Sequence, residues 1–177
     1  LVAPVTKYCA TLKDPATIGA DVGAAFAAAT HAHRGPAFVD IPMDRFYTPA
    51  KAAAVTPIPA DPRLPDPESL TRVATLIAAA ERPVLVLGSD VWLDGAADAA
   101  RTAAETMALP VIANGMGRGI LPRGHSQLVS RARGTAFSQA DLVVVVGTPL
   151  DFRLGYGVFG DPAVPVVHIA DSAEQLS

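Results

Sequence analysis

One cysteine, Cys9, stands alone among 177 residues, so no internal disulfide can form. Such usage suits a reducing compartment, and a cytoplasmic location is the expectation. Nothing near Cys9 in the sequence activates a thiol, so it reads as a small apolar core residue. Aromatic residues are only 6% of the chain against 50% hydrophobic, so the core must be aliphatic and alanine-rich. No apolar run approaches the roughly 20 residues of a membrane span; Val143–Val146 and Pro83–Gly88 are strand-length. A basic surplus is also missing. The net charge of −3 argues against nucleic acid as a partner. His31, His33, His125 and His168 lack metal-ligand spacing, and no metal ligand or function is assigned to them. The chain opens on Leu1 with no targeting pattern, and it reads as a piece of a longer protein.

The most informative stretch runs from Asp141 to Arg153. Val143–Val146 is continuously apolar between an acidic start and Gly147. A strand buried on both faces of a parallel sheet has this pattern. In open α/β sheets, ligands bind beyond the carboxyl ends of such strands. Within seven residues that position holds Gly147, the hydroxyl of Thr148, the carboxylate of Asp151 and the guanidinium of Arg153.

The rest of the chain divides in three. In residues 1–48, Asp14-Pro15 starts a helix over about Ala16 to His33, with Ile18, Val22, Ala25, Phe26 and Ala29 at helical spacing. Gly35-Pro36 stops it, and residues 37–41 form a short strand. One helix and one strand cannot close a core, so the neighbouring strands are expected outside the chain. Residues 49–66 carry Pro49, Pro57, Pro59, Pro62 and Pro65 and read as an extended, semi-rigid linker. From residue 67 onward, helix and strand alternate. Helix Ser69–Ala80 places Leu70, Val73, Leu76 and Ile77 on one face. Strand Val84–Leu87, a helix from Asp94 or Gly95 to about Leu109, strand Pro110–Ala113, helix Ser130–Ala140 and strands Leu142–Val146 and Val164–Ile169 follow. The fold class is α/β: a Rossmann-like parallel sheet with helices on both faces, preceded by a helix–strand remnant of a second α/β domain.

Gly155-Tyr-Gly-Val-Phe-Gly160 matches the dinucleotide fingerprint by letter. A strand, not a helix, is expected after it, so it is read as a loop. Asn114-Gly-Met-Gly-Arg-Gly119 follows a strand. Its glycines let a ligand approach the backbone, or make an ordinary connector. Arg131 and Arg133 cannot share a helical face; one could reach a phosphate, or both are surface arginines. Asp151 can accept from a ribose hydroxyl and Arg153 can clamp a diphosphate, unless the two pair with each other. Asp171 suits a ribose or adenine edge, or caps a helix beginning near Ser172.

Residues 35–44 (GPAFVDIPMD), 110–122 (PVIANGMGRGILP) and 131–157 (RARGTAFSQADLVVVVGTPLDFRLGYG) together resemble the thiamine-diphosphate-dependent enzymes of the acetolactate synthase group. The resemblance makes residues 1–48 the end of a pyrimidine-binding domain and 67–177 most of a six-stranded central domain. In that group the central domain holds FAD without net redox work, or ADP or a CoA adenine in the oxalyl-CoA decarboxylases and 2-hydroxyacyl-CoA lyases. By position, the resemblance implies cofactor-binding roles for Gly88, Asn114, Gly115, Arg133, Gly147, Asp151, Arg153 and Asp171. Asp90 stands where the group usually has a glycine, and Pro149 where its flavin loop has an arginine. Thiamine diphosphate and Mg2+ would belong to the parent. Their ligands, an upstream glutamate and a downstream GDG motif with later asparagines, lie outside this chain, so no catalytic residue is expected in it. The implied parent is a homo-oligomer that decarboxylates pyruvate and joins the two-carbon unit to a second 2-oxoacid; the chain alone would be inactive. The alternatives are the CoA lyase or decarboxylase branch, and a non-catalytic nucleotide-binding module.

Overall fold

The computed structural model describes residues 1–60, 64–160, 164–173 and 176. It divides into two compact units, Leu1–Arg63 and Leu64–Ser177.

In the first unit, β1 (Tyr8–Thr11) pairs in parallel with β2 (Ala37–Asp40), register Tyr8↔Ala37 to Thr11↔Asp40. The crossover between them is α1 (Ile18–Thr30), which packs on the pair. The expectation that β2 would lack a strand neighbour within the chain is therefore corrected. Tyr8–Thr11 has no apolar alternation to announce it and is held by the ladder. Cys9, on β1, is exposed, not a core residue. The helix is shorter than Ala16–His33. Asp14 does not cap it; its carboxylate accepts from Ala16 N–H at 2.9 Å, closing a turn ahead of Ile18. Phe26, expected on the apolar face, is exposed, while Ala25 is buried. A short helix, α2 (Met43–Phe46), follows β2. Residues 49–60 have no regular secondary structure. Val55 lies on α1 at the two points where it has no side chain: a Cβ at Gly19 would meet Val55 at 2.8 Å and one at Gly23 at 3.2 Å. Positions 61–63 of the expected linker lie outside the described residues.

The second unit opens with α3 (Pro67–Ala79), capped by Asp66, whose carboxylate accepts from Ser69 N–H at 2.8 Å. Then come β3 (Pro83–Leu87), α4 (Ser89–Leu93), α5 (Ala97–Thr106), β4 (Val111–Ala113), α6 (Arg133–Gln139), β5 (Leu142–Val146) and β6 (Val166–Ile169). The sheet order is β4-β3-β5-β6, parallel throughout. Outside β4, Leu128 makes a single parallel bridge to Val111, with Val111 N–H donating to Gln127 O and Val129 N–H to Val111 O. Counting that bridge as a one-residue strand, the spatial order is third, second, first, fourth, fifth. This is the doubly wound arrangement.

The strands read as apolar runs because both faces are covered. Leu85, Leu87, Leu142 and Val144 face Val73 and Ile77 of α3 and Ala100 and Ala104 of α5. Val84, Val86, Val143 and Val145 face Ala136 and Phe137 of α6, with Leu154 and Phe159. Each such side chain contributes about 1.5–3 kcal/mol on full burial. Leu70 and Leu76 of α3 stay exposed, so the core-facing stripe is narrower than the helical spacing predicts. The helix expected from Asp94 or Gly95 to about Leu109 is α5, shorter at both ends; an additional helix, α4, follows β3 directly, and Gly95, at φ +69°, separates the two.

Candidate functional site

The crossover from β3 leads to β4 on one side, while β5 lies on the other. The carboxyl ends of β3 and β5 therefore mark the switch point where this architecture places ligands. Gly88, Asn114, Gly115 and Gly147 are brought together here.

The glycines serve close approach, but to protein atoms. A Cβ at Gly88 would lie 2.3 Å from Gly147 O and 2.4 Å from Thr148 Cβ. Gly147, at φ +65°, would place a Cβ 2.9 Å from Val91 N, and Gly115, at φ +54°, would place one 2.4 Å from Ser89 Oγ. Neighbouring Gly117 would meet Leu87 O at 2.2 Å. Backbone bonds stitch the same ends: Gly88 N–H to Val146 O at 2.8 Å, Asp90 N–H to Gly147 O at 3.0 Å and Gly147 N–H to Ile169 O at 2.9 Å.

Asn114 is 5% exposed. Its backbone N–H donates to Leu87 O at 2.8 Å and its side-chain Nδ2 to Thr148 Oγ1 at 3.1 Å. Thr148 is also buried, and its carbonyl accepts from His168 Nε2 at 2.9 Å. This polar chain ties the ends of β4, β5 and β6. Thr148 stood out in the sequence as a hydroxyl after Gly147, but nothing local pairs it with Asn114, 34 positions away. His168 has no sequence signal at all.

A second cluster lies on the loop after β5 and at the start of α6. Arg153 donates to Asp151 through Nε (2.9 Å to Oδ2, 3.2 Å to Oδ1) and Nη2 (2.5 Å to Oδ2), and its backbone N–H reaches Oδ1 at 2.9 Å. Of the two arrangements the sequence allowed, the structure has the mutual ion pair. The Arg153 hydrogen bonds, against a smaller opposing effect of burial, hold the Asp151 carboxyl below the ordinary carboxylate range, and Asp151 raises Arg153 in turn. Arg133 Nη2 donates to the carbonyl of Arg153, and its guanidinium lies 5.4 Å from the Phe137 ring centroid. Arg131 sits in the preceding short 3-10 turn, Ser130–Ala132. Asp171 lies in a bend beyond β6, half-buried. The helix expected to begin near Ser172 falls largely outside the described residues.

Among the described residues no helix follows the fingerprint-like Gly155–Gly160, and the next element is β6. Residues Phe152–Gly157 form a 3-10 turn in which Gly155 and Tyr156 are left-handed, at φ 56° and 53°. Asp161 and Pro162, beyond it, are outside the described residues. Among the described residues no group of three His, Cys, Asp or Glu side chains could hold a metal ion. Among the described residues no helix is long and apolar enough to cross a membrane. A groove of about 1020 Å3 opens at the opposite, amino end of the strands, lined by Val73, Ile77, Pro83, Pro110, Ala132 and Ala136. Being at the wrong end of a parallel sheet, it is not the ligand edge.

Residues 70–177 match the family described as thiamine pyrophosphate enzyme, central domain. The chain is 40% identical over 178 residues to acetolactate synthase large subunit IlvG of Mycobacterium tuberculosis, covering 98% of this chain and 32% of that protein. It is 32% identical over 194 residues to human 2-hydroxyacyl-CoA lyase 2, covering 89% of this chain and 31% of that one. The solved structure of benzoylformate decarboxylase from Polynucleobacter necessarius superposes with a TM-score of 0.72 at 21% identity, over 98% of this chain and 34% of that one, a likeness of fold. The chain spans about a third of the length of the curated relatives it matches.

Proposed function

The chain belongs to the thiamine pyrophosphate enzymes, and from that premise we propose that it is part of an acetolactate-synthase-like parent. The parent decarboxylates pyruvate and joins the two-carbon unit to a second 2-oxoacid, acting as a cytoplasmic homo-oligomer. The observation that carries this reading is the 40% identity to an acetolactate synthase over nearly the whole chain.

Thiamine diphosphate supplies the carbanion chemistry when bound. Its Mg2+ and diphosphate need a carboxylate with amide and carbonyl oxygens, which the resemblance assigns to a downstream GDG motif with later asparagines, and its ring a glutamate upstream. Those ligands belong to other parts of the parent, and no chemical step is assigned to this chain. Its part is to form the central sheet whose carboxyl edge carries Gly88, Asn114, Gly115 and Gly147, beside the Arg133, Asp151 and Arg153 cluster and Asp171.

The second reading is a lyase or decarboxylase of CoA thioesters, favoured by the 32% identity to a 2-hydroxyacyl-CoA lyase. Expression of the coding region with its flanks separates the two. Acetolactate from pyruvate supports the first reading; cleavage of 2-hydroxyacyl-CoA without acetolactate replaces it with the second. The chain of 177 residues alone is expected to turn over neither.

A further inference from the structure

We propose that Asp151 is a built-in anion that closes the carboxyl edge to diphosphates, so that the chain as it stands holds neither FAD nor ADP there. The inference rests on the family reading of this edge as the place for a nucleotide.

A guanidinium recognises a phosphate through two parallel N–H groups, and a carboxylate offers the same pair of oxygens. In this loop the Asp151 carboxylate occupies the Nε and Nη2 donors of Arg153, both on Oδ2, with a longer bond of 3.2 Å from Nε to Oδ1. A second cation of this cluster is turned the same way: Arg133 donates to the carbonyl of Arg153 and lies against Phe137. An incoming diphosphate would have to displace a carboxylate that remains beside it as a like charge, and like-charge juxtaposition opposes binding strongly.

The crowded glycines of this edge do not offer a substitute cradle. The spaces over Gly88, Gly115 and Gly147 are filled by Gly147 O, Ser89 Oγ and Val91 N. The side-chain amide of Asn114 points to Thr148. The helix after β3, Ser89–Leu93, is a little over one turn, too short for a strong dipole.

The loop also holds Asp151 in place. Leu154 N–H and Tyr156 N–H both donate to the Asp151 carbonyl, at 2.9 and 3.0 Å, and fix its backbone. Tyr156, a non-glycine residue at φ +53°, keeps its strained conformation within that turn. The carboxylate is tied separately, to the backbone N–H of Arg153 at 2.9 Å as well as to its guanidinium, so leaving the guanidinium also gives up that turn-closing bond.

Calorimetric titration of ADP, FAD and inorganic pyrophosphate into the full 177-residue chain at low salt tests this. The wild-type chain is expected to show no saturable binding at micromolar concentrations. Asp151→Asn, which removes the charge and keeps the shape, is expected to raise affinity for ADP and pyrophosphate roughly tenfold. Adding Arg153→Gln to that variant should abolish the gain. Circular dichroism melts confirm that each variant is folded, and Asp151→Ser is the second route if the asparagine variant is not. Micromolar binding of ADP or FAD by the wild type overturns the proposal, and so does a folded Asp151 variant with unchanged affinity. None of these readouts depends on whether the parent makes acetolactate, so the two readings fail separately.

Discussion

A Cβ placed on Gly88 would stand 2.3 Å from the carbonyl oxygen of Gly147, because the carboxyl ends of β3 and β5 touch there. The two glycines are a joint between strands.

That contact predicts opposite outcomes at two glycines. Gly88→Ala pushes a methyl into backbone that cannot retreat and should cost about 1–3 kcal/mol. Gly134, in α6, has no atom within 4 Å of its Cβ position and no positive φ. Gly134→Ala should stabilise by about 0.4–1 kcal/mol, through helix propensity and a less flexible unfolded chain. Urea midpoints of the two variants against wild type give the comparison; equal shifts would remove the joint from the account.

Thr148 and Asn114 form the buried side-chain hydrogen bond across the switch point. Thr148→Val leaves Asn114 Nδ2 without its acceptor and should destabilise by about 1–3 kcal/mol. A double-mutant cycle with Asn114→Ala should return a coupling energy above about 0.5 kcal/mol. Simple additivity would mean that the amide finds water instead.

Asp141, at the start of β5, accepts from Glu81 N–H at 2.7 Å and Arg82 N–H at 2.9 Å. Burial is the largest single influence and pushes its carboxyl up, but the amide hydrogen bonds from Glu81 and Arg82, with the Arg82 charge, together carry it below the ordinary value. A depressed folded-state value means the stabilising contribution is complete above the unfolded carboxylate range. It fades as pH falls through about 4 and is gone below the folded-state value. Stability measured from pH 7 to pH 2 should therefore fall less steeply for Asp141→Asn than for wild type, from a lower plateau.

His125 and Glu105 fasten the segment that follows the glycine-rich loop to α5. His125 Nδ1 accepts from Gln127 N–H at 3.3 Å, which leaves Nε2 to donate to Glu105 Oε1 at 3.0 Å. Arg101 Nε adds a bond to Ile120 O at 2.9 Å. Glu105→Ala should cost about 0.5–1.5 kcal/mol and hasten amide exchange over residues 116–128, with β3 and β5 unchanged. Uniform acceleration across the sheet would instead point to global destabilisation.

Legibility followed how local each signal was. Leu142–Val146 is a strand with the bounds its apolar run predicts, since burial on both faces is written in consecutive residues. Helix α3 was legible from its apolar spacing, within two residues at its start, while its capping aspartate, Asp66, emerged only in the structure. What stayed hidden was set by distant partners. Tyr8–Thr11 is a strand only because Ala37–Asp40 lies beside it, and Leu128 bridges Val111 without any strand pattern of its own. At the site, Gly88, Gly115 and Gly147 were visible as glycines, but which atoms crowd each one depends on the folded sheet. Asp151 and Arg153 were recognised as a pair that could face a ligand or each other. Two residues of separation and a tight turn decide it geometrically.

The strand order has a kinetic consequence. β3 is the first strand of its sheet to be synthesised yet lies in its middle, and its ladder with β5 joins Pro83 to Leu142. Closing so long a loop is slow, because chain entropy is lost before the contacts form. On an emerging chain, β3 waits with one edge open until residue 146 is available. Its exposed apolar run is then the segment most in need of protection from other chains.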